Sequence, residues 1–117
     1  MKITPLKDAF EYPTTGHFDM KALRLHNKET SGCQAFSLGM SHFLPGGGTD
    51  YVETGIELIY FVVEGEMTVR TKTDTFVLKK NDSAYFAVGD GKEIRNETNL
   101  PATMLVIAGT PGKAEGK

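Results

Sequence analysis

The stretch from Pro45 to Gly65 restricts this chain more than any other. It opens on Pro45-Gly46-Gly47-Gly48 and runs into Ile56–Val63, a segment dominated by β-branched and aromatic residues, before stopping at Glu64-Gly65. Glycine takes up positive φ angles that other residues resist, so the opening reads as a turn. The segment after it reads as a strand, closed by a second turn.

The rest of the chain repeats this rhythm. Thr4-Pro5 reads as an N-cap followed by proline at the first helical position, giving one helical turn over Leu6–Phe10, and residues 11–16 read as extended. Met20–His26 alternates apolar and polar residues as a half-buried strand does, and residues 27–32 have turn composition. Over Gln34–Leu44 one face carries Phe36, Leu38, Met40, His42 and Leu44, the other Ala35, Ser37, Gly39 and Ser41. Alternation then sends the apolar face into the core and takes His42 with it. Further strands follow over 67–71, 75–78, 83–87, 92–96 and 102–108. Eight or nine short strands at regular spacing predict an all-β sandwich or barrel. The expected organisation is one domain: an N-terminal arm over 1–18, a barrel over about 19–108, and a fraying tail over 109–117 with nothing to bury.

Charge and composition narrow the function classes. A formal charge of −2 with no clustered Lys or Arg opposes nucleic-acid binding. No apolar run is long enough to span a membrane, and Met1–Asp8 lacks the apolar core of a secretory signal. The lone Cys33 precludes an internal disulfide and suits a reducing compartment, so a cytoplasmic protein is expected.

Spacing within the central stretch resembles the first motif of the cupin family: glycine, five residues, His-x-His, three or four residues, glutamate, six residues, glycine. Counted from Gly46 and back from Gly65, its ligand positions fall on Val52, Thr54 and Leu58. The second motif (glycine, five residues, Pro-x-Gly, two residues, histidine, three residues, asparagine) falls on Asn81, Ala87, Gly89, Lys92 and Asn96, with Gly89 and Asn96 matching directly. The resemblance implies a small single-domain cupin, a jelly-roll β-barrel that is commonly a homodimer. It also implies a divalent metal held by three histidines and a glutamate, and here the departure is complete: those positions read Val52, Thr54, Leu58 and Lys92. Valine and leucine carry no donor atom, threonine is a poor ligand and an ammonium repels a cation, so neither metal nor cofactor is expected. A one-residue slip would instead bring Glu53 and Glu57 inward, where with His42 they would make an improvised metal site.

In the unslipped register, four polar side chains project into the barrel. Lys92 is the sharpest candidate: an amine facing an apolar cavity loses hydration, which lowers its pKa and suits it to act as base, Schiff-base nucleophile or anion anchor. His42 is a candidate general base, and Tyr60 a group that orients a ligand. Thr54, Val52, Leu58, Met40 and Asn96 are the candidate ligand-binding residues. These readings support a metal-independent cupin that binds a small organic molecule bearing a carboxylate or carbonyl, with isomerase-, epimerase-, decarboxylase- or lyase-type acid–base or amine chemistry. A non-catalytic ligand-binding or sensing module stands beside it, as does a metal-dependent oxygenase or isomerase with displaced ligands. The outward residues Ile59, Phe61 and Val63 leave an apolar face for the N-terminal strands or a second subunit to cover.

Overall fold

A computed structural model of the chain describes residues 1–110. Ten strands and one short helix follow in order: β1 (Phe10–Glu11), β2 (His17–His26), α1 (Lys28–Ser31), β3 (Phe36–Thr49), β4 (Val52–Glu53), β5 (Leu58–Glu64), β6 (Met67–Arg70), β7 (Thr75–Leu78), β8 (Ser83–Phe86), β9 (Gly91–Arg95) and β10 (Ala102–Gly109). All pairings are antiparallel, in the order β7-β6-β9-β3-β10-β5-β8, with β2 flanking β3 and β4 flanking β9. The result is a nearly closed all-β jelly-roll barrel. Among the described residues no helix is long and apolar enough to cross a membrane.

The glycine-rich opening is not a turn, contrary to expectation. β3 runs through it and joins the two halves of the barrel. Its first half pairs with β10 and β2, and its end pairs with β9 at Gly48↔Arg95. A bend at Gly46 (φ 85°) makes the change of direction possible. Gly47 and Gly48 then lie directly on the Asp19 and Ile94 carbonyl oxygens, leaving no space for a Cβ at either position. Glycine is required there because another backbone approaches, not because of a turn.

Asn96 clips this bend and is completely buried. Its amide nitrogen donates to the Phe43 carbonyl at 3.2 Å and the Leu100 carbonyl at 2.8 Å, and its oxygen accepts from the Thr98 amide and hydroxyl. Its backbone exchanges hydrogen bonds with Gly46 and Gly47. Every side-chain polar atom is thus spent on the scaffold. Asn96 is therefore a structural residue rather than the ligand-binding residue expected of it.

The N-terminal residues are not a separate arm. β1 pairs with β2, and His17 and Phe18 pair with Thr49 and Gly48. A bulge at Asp19 (φ 52°) lets β2 follow the bend of β3. The expected helical turn near residue 6 is a short 3-10 turn over Leu6–Asp8 whose cap is Pro5, and Thr4 makes no capping hydrogen bond. The expected turn over 27–32 holds α1, with a capping box between Asn27 and Thr30 and a left-handed Gly32 at its end. At the other terminus Gly109 belongs to β10, and Thr110 bonds to the backbone of Gln34 and Ala35. The rest of the expected tail, 111–117, lies outside the described residues.

Phe43, Val62, Met67, Ile94 and Met104 fill the core and are almost fully shielded from water. Each contributes about 1.5–3 kcal/mol by burial. Phe43 belongs to the face of β3 that was expected to point outward. The inward residues are Gly39, Ser41 and Phe43, while Phe36 and Leu44 are exposed and Met40 and His42 lie on the outer face. The interior at β3 is too tight for a large side chain at position 39, where a Cβ would sit 3.2 Å from the Leu23 carbonyl oxygen and 3.4 Å from the Tyr12 hydroxyl.

Gly48→Ala should cost several kcal/mol or abolish folding, because its methyl group would meet an immobile carbonyl. Gly55→Ala, with nothing within 4 Å, should leave the thermal midpoint nearly unchanged. Equal melting temperatures for the two variants would refute the close-approach account.

Candidate functional site

β9 alternates strictly, with Lys92 and Ile94 buried and Gly91, Glu93 and Arg95 on the other face. Lys92 pairs in register with Val52 of β4, and Thr54 is held beside them by backbone bonds to Asp90 and Gly89. β5 brings Leu58 and Tyr60 to the same interior. The four positions Val52, Thr54, Leu58 and Lys92 therefore line one cavity of about 330 Å³, together with Tyr60.

Lys92 dominates this cavity. It is 4% exposed, with Nζ 5.5 Å from the ring centres of both Tyr60 and Phe86. Among the described residues no carboxylate lies within ion-pair distance of it. Burial holds its ammonium below the ordinary lysine range, and no anion counteracts that shift. Tyr60 packs against Phe86 at 5.1 Å between ring centres, and burial first, then Tyr12, pushes its phenol well above the usual tyrosine value. It stays protonated and can only donate or accept a hydrogen bond. Thr54 is satisfied locally, its hydroxyl donating to the Ile56 carbonyl at 2.7 Å.

Besides Asn96, two expected site residues lie elsewhere. His42 projects from the outer face of β3, where its Nδ1 sits 3.0 Å from the Thr103 hydroxyl on β10. Met40 shares that face, so neither lines the cavity. The inversion of β3 removes both at once, since a shift of one residue exchanges faces. Val52 lines the cavity at its rim and is half exposed. Residues not anticipated complete the wall: Ser41 from the inward face of β3, Tyr12 and Thr14 from the β1–β2 connection, and His17 from the start of β2. Tyr12 is held by the Arg24 guanidinium, 3.8 Å above its ring centre. The signal for Ser41 was present as the small-residue face of β3. The contributions from residues 12–17 depend on the long-range pairing of β2.

A metal does not fit this donor set. Val52 and Leu58 have no donor atoms, the Thr54 hydroxyl is engaged and Lys92 is an amine. His17 and Glu53 also line the cavity but make at most two ligands, fewer than the three or four a metal needs. Nor does the improvised alternative assemble: His42 is outside, and Glu57 accepts a hydrogen bond from the Tyr85 hydroxyl at 2.6 Å on the surface. Among the described residues no group of three or more His, Cys, Asp or Glu side chains is placed to hold a metal ion.

Comparison with known proteins agrees with the architecture. The cupin domain family matches residues 39–108. The β-D-galactosidase Rv1717 of Mycobacterium tuberculosis (strain ATCC 25618 / H37Rv) is 32% identical over 111 residues, covering 95% of this chain and 96% of that one. The polyketide cyclase RemF of Streptomyces resistomycificus superposes with a TM-score of 0.83 at 18% identity, over 93% of this chain and 79% of that one. A predicted oxalate decarboxylase of Thermotoga maritima gives 0.78 at 16% identity, over 92% and 97%. The last two speak for the fold alone. Family match, near-full-length relative and barrel topology together make this chain a member of the cupin superfamily.

Proposed function

We propose that this cupin works without a metal and binds a small organic molecule in its barrel cavity, with a carboxylate or carbonyl of the ligand against Lys92. The observation that carries the reading is the buried Lys92 amine without an anionic partner. Burial of an unpaired charge is costly and lowers the Lys92 pKa, and a ligand carboxylate would supply the missing partner and raise it. The neutral amine is also a base, and a nucleophile toward a carbonyl carbon. Attack followed by loss of water gives an imine, with the Tyr60 phenol available to hydrogen-bond the departing oxygen. His42 has no part in this chemistry. A cytoplasmic setting belongs to the same proposal and rests on the single cysteine.

The relative named as a β-D-galactosidase favours a second reading in which the ligand is a sugar. Hydrolysis by the usual route needs two carboxyl groups flanking the glycosidic bond. Glu53 is the one carboxylate among the residues lining the barrel cavity. This second reading is therefore one of sugar binding, or of hydrolysis by another arrangement.

Stability should report the state of Lys92 directly. Between its lowered native pKa and the unfolded value of about 10.4 the unfolded chain binds more protons, so stability rises with pH across that window and is lost as pH falls through the native value. Lys92→Met should be at least as stable as the parent at neutral pH and should lack this rise. Denaturant titrations of both proteins from pH 6 to 11 check it, and parallel stability curves would show that the amine is already paired.

Ligand screening tests the function. Small carboxylates and keto acids should shift the thermal midpoint of the parent and not of Lys92→Met, and cyanoborohydride with a reactive keto acid should leave a mass adduct on the peptide containing Lys92. Stoichiometric iron, manganese, nickel or zinc in protein purified without chelators overturns the metal-free reading. Release of p-nitrophenol from p-nitrophenyl β-D-galactoside by the parent would favour the second.

We also propose a homodimer through the outer face of the sheet. Two apolar rows cross it in register there, Leu23–Met40–Leu105–Phe61 and Leu38–Ile107–Ile59. Light scattering should give twice the chain mass for the parent and a single chain mass for Phe61→Glu. A monomeric parent would dismiss the interface.

A further inference from the structure

The sheet is not closed. β7 and β8, the two ends of the strand order, share no backbone pairing, and a cavity of about 760 Å³ opens beside them. Its volume falls within the range of ligand sites, roughly 300–1,000 Å³. The floor is core, formed by Val69, Leu78 and Phe86. Around it stand three rings that the core does not absorb: Phe76 at 55% exposure, Tyr85 at 57% and Tyr51 at 39%.

Two of these rings are fixed in place. The Tyr85 hydroxyl donates to Glu57 at 2.6 Å, and that bond holds its proton above the usual tyrosine range. The hydroxyl end of Tyr51 sits against the backbone of Gly91, where an added Cβ would collide with it. Exposed aromatic surface gathered in one concavity marks a place where something binds.

Charge limits what that occupant is. Glu53 and Asp90 contribute carboxylates to the cavity and Lys72 one amine. Asp90 Oδ2 accepts from the Ala87 amide at 2.9 Å, while Glu53 has no ion-pair or hydrogen-bond partner among the described residues. Two carboxylates oppose an anion, the lysine opposes a cation, and a purely hydrocarbon ligand would strip water from all three without replacing it. A neutral molecule with apolar faces and hydroxyl donors at its edges satisfies every group.

We infer that this crevice is a saccharide-binding site, separate from the Lys92 cavity, in which the rings of Tyr51, Phe76 and Tyr85 pack on the C–H faces of a neutral sugar and Glu53 and Asp90 accept its hydroxyl protons. Glu53 also lines the barrel cavity, so it stands between the two sites. The inference does not depend on what the barrel binds.

Titration of isotope-labelled protein with lactose and cellobiose, followed by amide NMR, tests it. Shifts should concentrate at Tyr51, Ala84, Gly89 and Gly91. Phe76→Ala and Tyr51→Ala should each weaken binding by about fivefold to tenfold. Lys92→Met should bind as the parent does, and well-dispersed spectra of each variant establish that it is folded. Absence of shifts at disaccharide concentrations on the order of tens of millimolar overturns the inference. So does tighter binding of glucose 6-phosphate or butylamine, or a response that Lys92→Met abolishes and Phe76→Ala leaves intact; that last result would assign sugar binding to the barrel instead.

Discussion

The barrel depends on the place where the backbone of β3 crosses against those of β2 and β9 with no side chain between them. At Gly47 and Gly48 the chain touches the Asp19 and Ile94 carbonyl oxygens, so the bend of one long strand becomes the joint between the two halves of the molecule. Asn96 secures the joint by bonding to the strand on one side and the 97–101 turn on the other. The direction of β9, and so the inward aim of Lys92, follows from that contact. A site four residues before Asn96 inherits its precision from a residue whose side-chain polar atoms are all hydrogen-bonded to the scaffold.

Much of this was legible in the chain, for reasons that can be named. Strands β5 to β10 are short, β-prone and separated by turn residues, and their expected bounds fall within one or two residues of those observed. Asn81 takes a positive φ of 73° where the family pattern carries glycine, as its short polar side chain allows. The interior position of Lys92 followed from counting along a motif rather than from hydropathy.

The face of β3 was not legible. Alternation tells which residues share a face and leaves open which side of the sheet is inside. Here Leu38 and Met40 join Leu105, Ile107, Ile59 and Phe61 in an apolar outer surface, while the crowded interior takes Gly39 and Ser41. An apolar face outside and small residues inside reverse the usual inference. The cavity wall from Tyr12 to His17 was hidden for a different reason. It exists only because β2 pairs with β3 from His17 to His26, and no local pattern in residues 12–17 announces a long-range partner.

Replacement of the family's donor residues changes the electrostatics of the cavity, not just its contents. With Val52, Thr54 and Leu58 around it, the amine of Lys92 is a charge whose stability depends on what enters. While it is unpaired, desolvation lowers its pKa; an entering carboxylate would raise it, so in the proposed function anion binding and proton uptake are linked. Affinity for such a ligand falls as pH rises through the lowered Lys92 pKa, because above it each binding event has to draw a proton from solution. A neutral carbonyl compound obeys the opposite rule, since it needs the unprotonated amine. In the proposed function the same buried nitrogen would serve as anchor or nucleophile according to pH and ligand charge, and the lack of a carboxylate beside it among the described residues leaves both roles open to one side chain.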